Sequence, residues 1–165
     1  FEAALPRWLD EHSEVALLHE LGEHRVGRQL GARWSAMRRT LLSRRARLAA
    51  AALRDHLADL GTTLPTLQER GADASIHAWF AAYDGVREAL FPDLPLAYRA
   101  WRGGDGGRLL RQAIEHGLAH FAALAQRVLD LHESHAPMAA IEQLLTGDDA
   151  VCRFDAPLTA RRAST

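Results

Sequence analysis

The sequence predicts an all-α protein: an up-down four-helix bundle with a short C-terminal helix and a flexible tail. Three observations predict it. Good helix formers (Ala, Leu, Arg, Glu and Gln) dominate the chain, and runs of alternating β-branched residues are missing. Apolar residues recur at helical spacing along four long segments. Proline and glycine mark the breaks between those segments.

The first helix is expected over residues 5–30, with Gly22 or Gly27 as the places where it could break. The second runs over 32–60, with Gly61 as its C-cap. Residues 62–74 connect, and Pro65 stops or restarts a helix. The third helix covers 75–90, with Ser75 or Asp73 as N-cap. "FPDLPLAYRAWRGGDGGR" then reads as a long link with a short helix at 96–101. The fourth helix covers 108–134, stopped by Pro137. A short helix over 138–145 ends at Gly147, and "PLTARRAST" reads as a flexible tail. The domain is placed at 1–146, with 147–165 as a C-terminal extension. One domain is the natural expectation for 165 residues, which can bury a single core without staples.

Charge is nearly balanced, at net −1. All 20 basic residues are Arg, and the chain has no Lys and no Asn, which reads as coding bias more than a binding adaptation. The balance argues against a dedicated nucleic-acid surface or anionic-membrane surface. The one cysteine, Cys152, rules out a disulfide framework within the chain and any Cys-based zinc site. No apolar run is long enough to span a membrane. The chain opens on Phe1, so an initiator or longer N-terminus is expected to be missing from it. No signal peptide is visible, and a reducing cytoplasm is the expected compartment.

"VALLHELGEH" raises the zinc-protease pattern H-E-x-x-H. That pattern works because residues i and i+4 share a helix face. Here Glu23 is four after His19, and His24 is five after, roughly 140° around the helix. One ion cannot take both imidazoles. What remains is His19 and Glu23 on one face.

A helical wheel orients the other histidines. In the first helix the apolar stripe is Trp8, Val15, Ala16, Val26 and Leu30; His12 and His19 fall near its middle and Glu23 near its edge. In the second the stripe is Trp34, Met37, Leu41, Leu48 and Ala52, with Arg45, His56 and Asp59 on it. In the third it is Ile76, Trp79, Phe80, Tyr83, Val86 and Leu90. In the fourth it is Leu110, Ile114, Gly117, Phe121, Leu124, Ala125 and Val128, continued by His132 and His135. In an up-down bundle the start of the first helix and the ends of the second and fourth meet. His12, His56, Asp59, His132 and His135 are then expected at one end, facing inward, as bundle-core metal sites are built. The competing expectation is half-buried imidazoles at a wet bundle end. For His19 and Glu23 it is a core polar pair, with Glu23 bound to Arg45 because neither charge is buried cheaply alone. His24, His77 and His116 are expected on the surface.

"WLDEHSEVALLHEL" is similar to the first helix of hemerythrin-like (HHE cation-binding) domains. "LRDHLADLGTTLPTLQERG" resembles that family's second helix, and "LRQAIEHGLAHFAAL" its last. The resemblance covers most of residues 5–136. It implies His12 and His56 as iron ligands, with His116 or His120. It departs where the family's carboxylates stand: those positions are Leu60 and Leu124 here. "RWLDEHSEVALL" and "HFAALAQRVLDLH" also resemble the regulator of sigma D family, helical bundles that bind the primary sigma factor; that family's Ser-Ala-Gly-His-Phe motif is missing.

Other patterns carry less. "RGGDGGR" lacks the Lys-Ser/Thr of a phosphate loop and reads as a link with Asp105 as N-cap. The arginines of "MRRTLLSRRAR" spread around their helix as a solvated face. Cys152 sits among acids, which do not lower a thiol pKa. No catalytic constellation is legible.

Two function classes follow. One is a small binding domain holding iron, another transition metal or haem through His12, His56, Asp59, His132, His135, His19 and Glu23. The other is a helical protein-interaction or regulatory module with no cofactor, docking a protein partner through Trp101 with Phe91 and Leu94.

Overall fold

The computed structural model describes residues 4–155. The side chains of residues 4–11, Trp8 among them, and the whole of 156–165, where the flexible tail was expected, lie outside the described residues.

Every regular element among the described residues is helical. Helix α1, Ala4–Thr40, leaves helical geometry at Gly31 (φ 65, ψ −164), a conformation glycine adopts without a Cβ penalty. Helix α2, Arg44–Ala58, passes without a stop through a π-helical turn, Asp59–Thr63, into α3, Leu64–Arg70. The expected C-cap at Gly61 is therefore interior. The αL residue that ends this run is Gly71 (φ 62, ψ 32), while Pro65 sits in the first turn of α3. Then come α4 (Asp73–Ala81), α5 (Gly85–Leu90), α6 (Leu94–Arg102), α7 (Arg108–Glu133) and α8 (Met138–Thr146). The expected third helix is thus divided at residues 82–84. Ser75 is no cap; it donates to Glu14 at 2.7 Å. The N-cap of α7 is Gly107, not Asp105; Asp105, two residues earlier, accepts from the N–H groups of Gly107 (2.8 Å) and Leu109 (2.9 Å).

The expected second helix is divided at residues 41–43 by a built corner. The Ser43 hydroxyl accepts from the Ala46 N–H at 3.1 Å, an N-cap. The Glu142 carboxylate accepts from the N–H groups of Leu42 (2.6 Å) and Ser43 (2.8 Å). Arg47 donates to the carbonyls of Leu41 (3.3 Å) and Leu42 (3.2 Å). The corner resets the helical phase. Ala46, Ala49, Ala50 and Leu53 turn inward, while Arg45 and Leu48 turn out.

Helices α1 and α2 run antiparallel, with His19 against Asp59, Gly22 against Ala58 and Glu23 against Arg54. A Cβ on Gly22 would lie 2.6 Å from the Ala58 carbonyl oxygen, so only glycine permits this approach. Helices α2 and α7 are also antiparallel. His56 stacks on Phe121, and Leu60 packs where a Cβ on Gly117 would be. It follows that α1 and α7 run in the same direction, as the Arg33–Glu133 contact at 3.3 Å requires. The up-down order expects them to oppose. The short segments α4, α5 and α6 replace one long returning helix, so α7 starts from the other end.

The core is made of fully buried side chains from most of the elements, among them Met37, Leu53, Leu64, Phe91, Phe121, Leu129 and Ile141. The expected stripe of α7 is buried throughout, from Leu110 to Val128. Residues 148–155 pack against the body and do not hang free. Cys152 is buried, and its N–H bonds the Leu90 carbonyl at 2.7 Å; the Phe154 N–H bonds Asp93 at 3.0 Å. No helix of the described residues is long and apolar enough to cross a membrane.

Candidate metal centre

Helix α1 presents His19 and Glu23, four residues apart and so on one face. Across the Gly22–Ala58 contact, α2 presents Asp55, and the π-helical turn begins at Asp59, again four apart. Such turns recur at functional sites because one extra residue re-aims the side chains that follow.

Asp59 is 1% exposed. Its Oδ1 accepts from His19 Nδ1 at 2.8 Å and from the Thr63 hydroxyl at 3.0 Å. Its Oδ2 is buried with no hydrogen-bond donor, and the Arg87 guanidinium stands 3.5 Å away. Arg87 is held in place by the Ala82 carbonyl and lies over the rings of Trp79 and Tyr83. When neutral, His19 gives its Nδ1–H to Asp59 and leaves the lone pair on Nε2, the tautomer that an oriented metal ligand needs. His19 also walls a cleft of about 230 Å³, with His12, Val15, Trp79 and Arg87 around it.

One ring nitrogen of His19 and one carboxylate oxygen each of Glu23 and Asp55 lie within 4.8 Å of one another. Glu23 pairs with Arg54 at 3.3 Å. Asp55 is half-buried and makes no hydrogen bond or ion pair among the described residues. Burial holds its pKa above the usual carboxylate range; Asp59 and Glu23 add to that, and His19 opposes it. The hydrogen bond to Asp59 raises the His19 pKa against burial, and the charges of Asp59, Asp55 and Glu23 add to it. Three carboxylates therefore crowd one imidazole, with the guanidinium groups of Arg54 and Arg87 nearby.

The expected cluster of His12, His56, His132 and His135 is not assembled. His12 is exposed, at the rim of the His19 cleft. His56 is a core residue, three residues before Asp59. It stacks on Phe121 (4.3 Å between centroids, 5° between planes), and its Nε2–H donates to the Arg87 carbonyl at 3.0 Å. Burial lowers its pKa to about 4. His132 is eleven residues beyond Phe121, about 16 Å along α7, and His135 lies past the end of that helix. His135 has φ 58 and closes the helix where glycine is usual. The physical reason is the direction of α7, which carries its C-terminus to the Arg33 end of α1.

The Glu23–Arg45 pair is replaced by Glu23–Arg54, and Arg45 donates to the Thr146 carbonyl at 3.0 Å. Of the histidines implied by the hemerythrin-like resemblance, His120 faces the Ala150 carbonyl at 3.3 Å, and the exposed His116 lies near Phe154. His24 and His77 are on the surface as expected. Burial pushes the Cys152 thiol up to about 12, which makes it inert. Phe91 and Leu94 are fully buried and cannot dock a partner alongside Trp101.

Sequence reasoning missed Asp55, Arg54, Thr63 and Arg87. Asp55 had a legible signal: Asp-x-x-x-Asp on one helix repeats the spacing of His-x-x-x-Glu on the other. Arg87 had none, since it arrives from α5 through the break at 82–84.

No curated protein and no solved structure matches the chain. Residues 1–147 match the family model described as "Family of unknown function (DUF6866) C-terminal domain", and the chain belongs to that family.

Proposed function

We propose that this domain binds one divalent transition-metal ion through His19, Glu23 and Asp55. The observation that carries this reading is the convergence of the three donors within 4.8 Å around a carboxylate, Asp55, that has no other partner. Asp59 is the orienting carboxylate: it fixes the His19 ring and tautomer and makes the imidazole a stronger ligand. One imidazole and two carboxylates suit Mn²⁺, Fe²⁺ or Zn²⁺. An ion held by three protein ligands keeps open positions for water or a small ligand, and supplies Lewis acidity there. Haem is disfavoured, because the His56 ring is closed in by Phe121, Phe91 and Tyr83.

The test is calorimetric titration of chelator-stripped protein with MnCl₂ and ZnCl₂. Wild-type protein is expected to bind one ion per chain. His19→Ala and Asp55→Asn each abolish that binding while keeping the far-UV helical signal and melting cooperatively. Asp59→Asn weakens binding about 10- to 100-fold. Wild-type protein that takes up no ion, or Asp55→Asn protein that binds as wild type, ends the reading.

A further inference from the structure

The corner at residues 41–43 turns Leu48 outward, to 46% exposure, and Val86 on α5 is 37% exposed. Both line a groove of about 520 Å³ between α2, α5 and α8, with Ala49, Ala89, Leu145 and Val151 completing its apolar walls. Arg44 and Arg45 stand at the same groove, and no carboxylate lines it. Arg44 is exposed and has no partner among the described residues. Arg45 uses one N–H on the Thr146 carbonyl and keeps its other donors. Arg44 opens α2, so the helix dipole adds to the positive potential at that lip.

The occupant follows from size and charge. One wall, α5, has only six residues, about 9 Å. A docked helix needs anchors over more than two turns, so it finds too short a seat. The volume falls in the range of small-molecule pockets, roughly 300–1,000 Å³. Apolar walls with two guanidinium groups at one lip match a chain with one anionic head. We propose that the groove binds a free medium-chain fatty acid, its carboxylate at Arg44 and Arg45 and its acyl chain along Leu48, Val86 and Val151. The site is separate from the His19 centre and does not depend on the metal.

The experiment is an amide-resolved NMR titration of chelator-treated protein with sodium decanoate, with octanoate and decyltrimethylammonium as comparisons. Saturable shifts are expected at Leu48, Val86 and Val151. Octanoate, two methylenes shorter, is expected to bind about tenfold more weakly. The cationic amphiphile and the Arg44→Glu/Arg45→Glu variant each lose tenfold or more, and Arg44→Gln gives a smaller loss should the double variant be misfolded. No decanoate shifts at millimolar concentration, shifts that map elsewhere, or equal binding of the cationic amphiphile would overturn the proposal. The last outcome would mean an apolar patch with no recognition of a head group.

Discussion

His56 and Asp59 are three residues apart and show two ways of burying a polar group. Asp59 is satisfied on one oxygen by His19 and Thr63. His56 is neutral, stacked on an aromatic ring, with its Nδ1 unpaired. Its folded pKa, about 4, lies below the ordinary 6.5. Between those values the unfolded chain binds a proton that the folded protein refuses. The stability from keeping His56 neutral is therefore fully present above 6.5 and is lost as pH falls toward 4. The full difference is about 3 kcal/mol. Denaturant midpoints measured from pH 7 to pH 4 should fall steeply for wild type. They should fall less for His56→Leu, where the Arg87 carbonyl still accepts from Tyr83. An unchanged slope in that variant would mean that other groups govern the acid response. Asp55 has the opposite sign: its raised pKa marks a charge that burial penalises, so Asp55→Asn should hold or raise stability at neutral pH while removing metal binding.

The helices were legible as segments, and their joints were not. The stripe of α7 reads directly from its period, and its residues are buried as the wheel expects. The second helix misread its phase because nothing in "MRRTLLSRRAR" announces a stop: the corner is set by Glu142, about a hundred residues away. Ser43 was the available local sign, an N-cap residue in mid-run. Gly61 misled for the reverse reason: it is exposed, but Leu60, Thr62 and Thr63 around it are buried, so the helical run continues through it. Gly22 is where the element scale meets the site. Gly22→Ala would drive a methyl into the Ala58 carbonyl and push α1 off α2. We expect a loss of about 1–3 kcal/mol in chemical denaturation. The proposed metal site should weaken with it, because His19 and Glu23 ride on one helix and Asp55 on the other. Gly27→Ala, with open space around its Cβ, is the control and should not destabilise.

At the scale of the whole molecule, an all-α class follows from composition and period, but the direction of a helix does not. Breaking the third helix into α4 and α5 reverses α7 relative to α1, and that alone moves His132 and His135 away from His12. His19 and Glu23 lie on one face of α1 and Asp59 bonds His19, while His56 belongs to the core. Local spacing placed those groups on shared faces; the antiparallel register of α1 and α2 then brought in Asp55. Residues 1–147 cover the family match, yet Cys152 and Phe154 beyond it are packed in. Truncation after Gly147 should therefore lower the melting temperature; an unchanged melt would show that segment to be ornamental.

The most direct measurement is an anomalous difference map from crystals grown with Mn²⁺, collected above and below the manganese edge. We expect one strong peak bonded to His19, Glu23 and Asp55, with Asp59 behind the imidazole. A map with no peak there, or with its main peak on His12, His132 or His135, would contradict it.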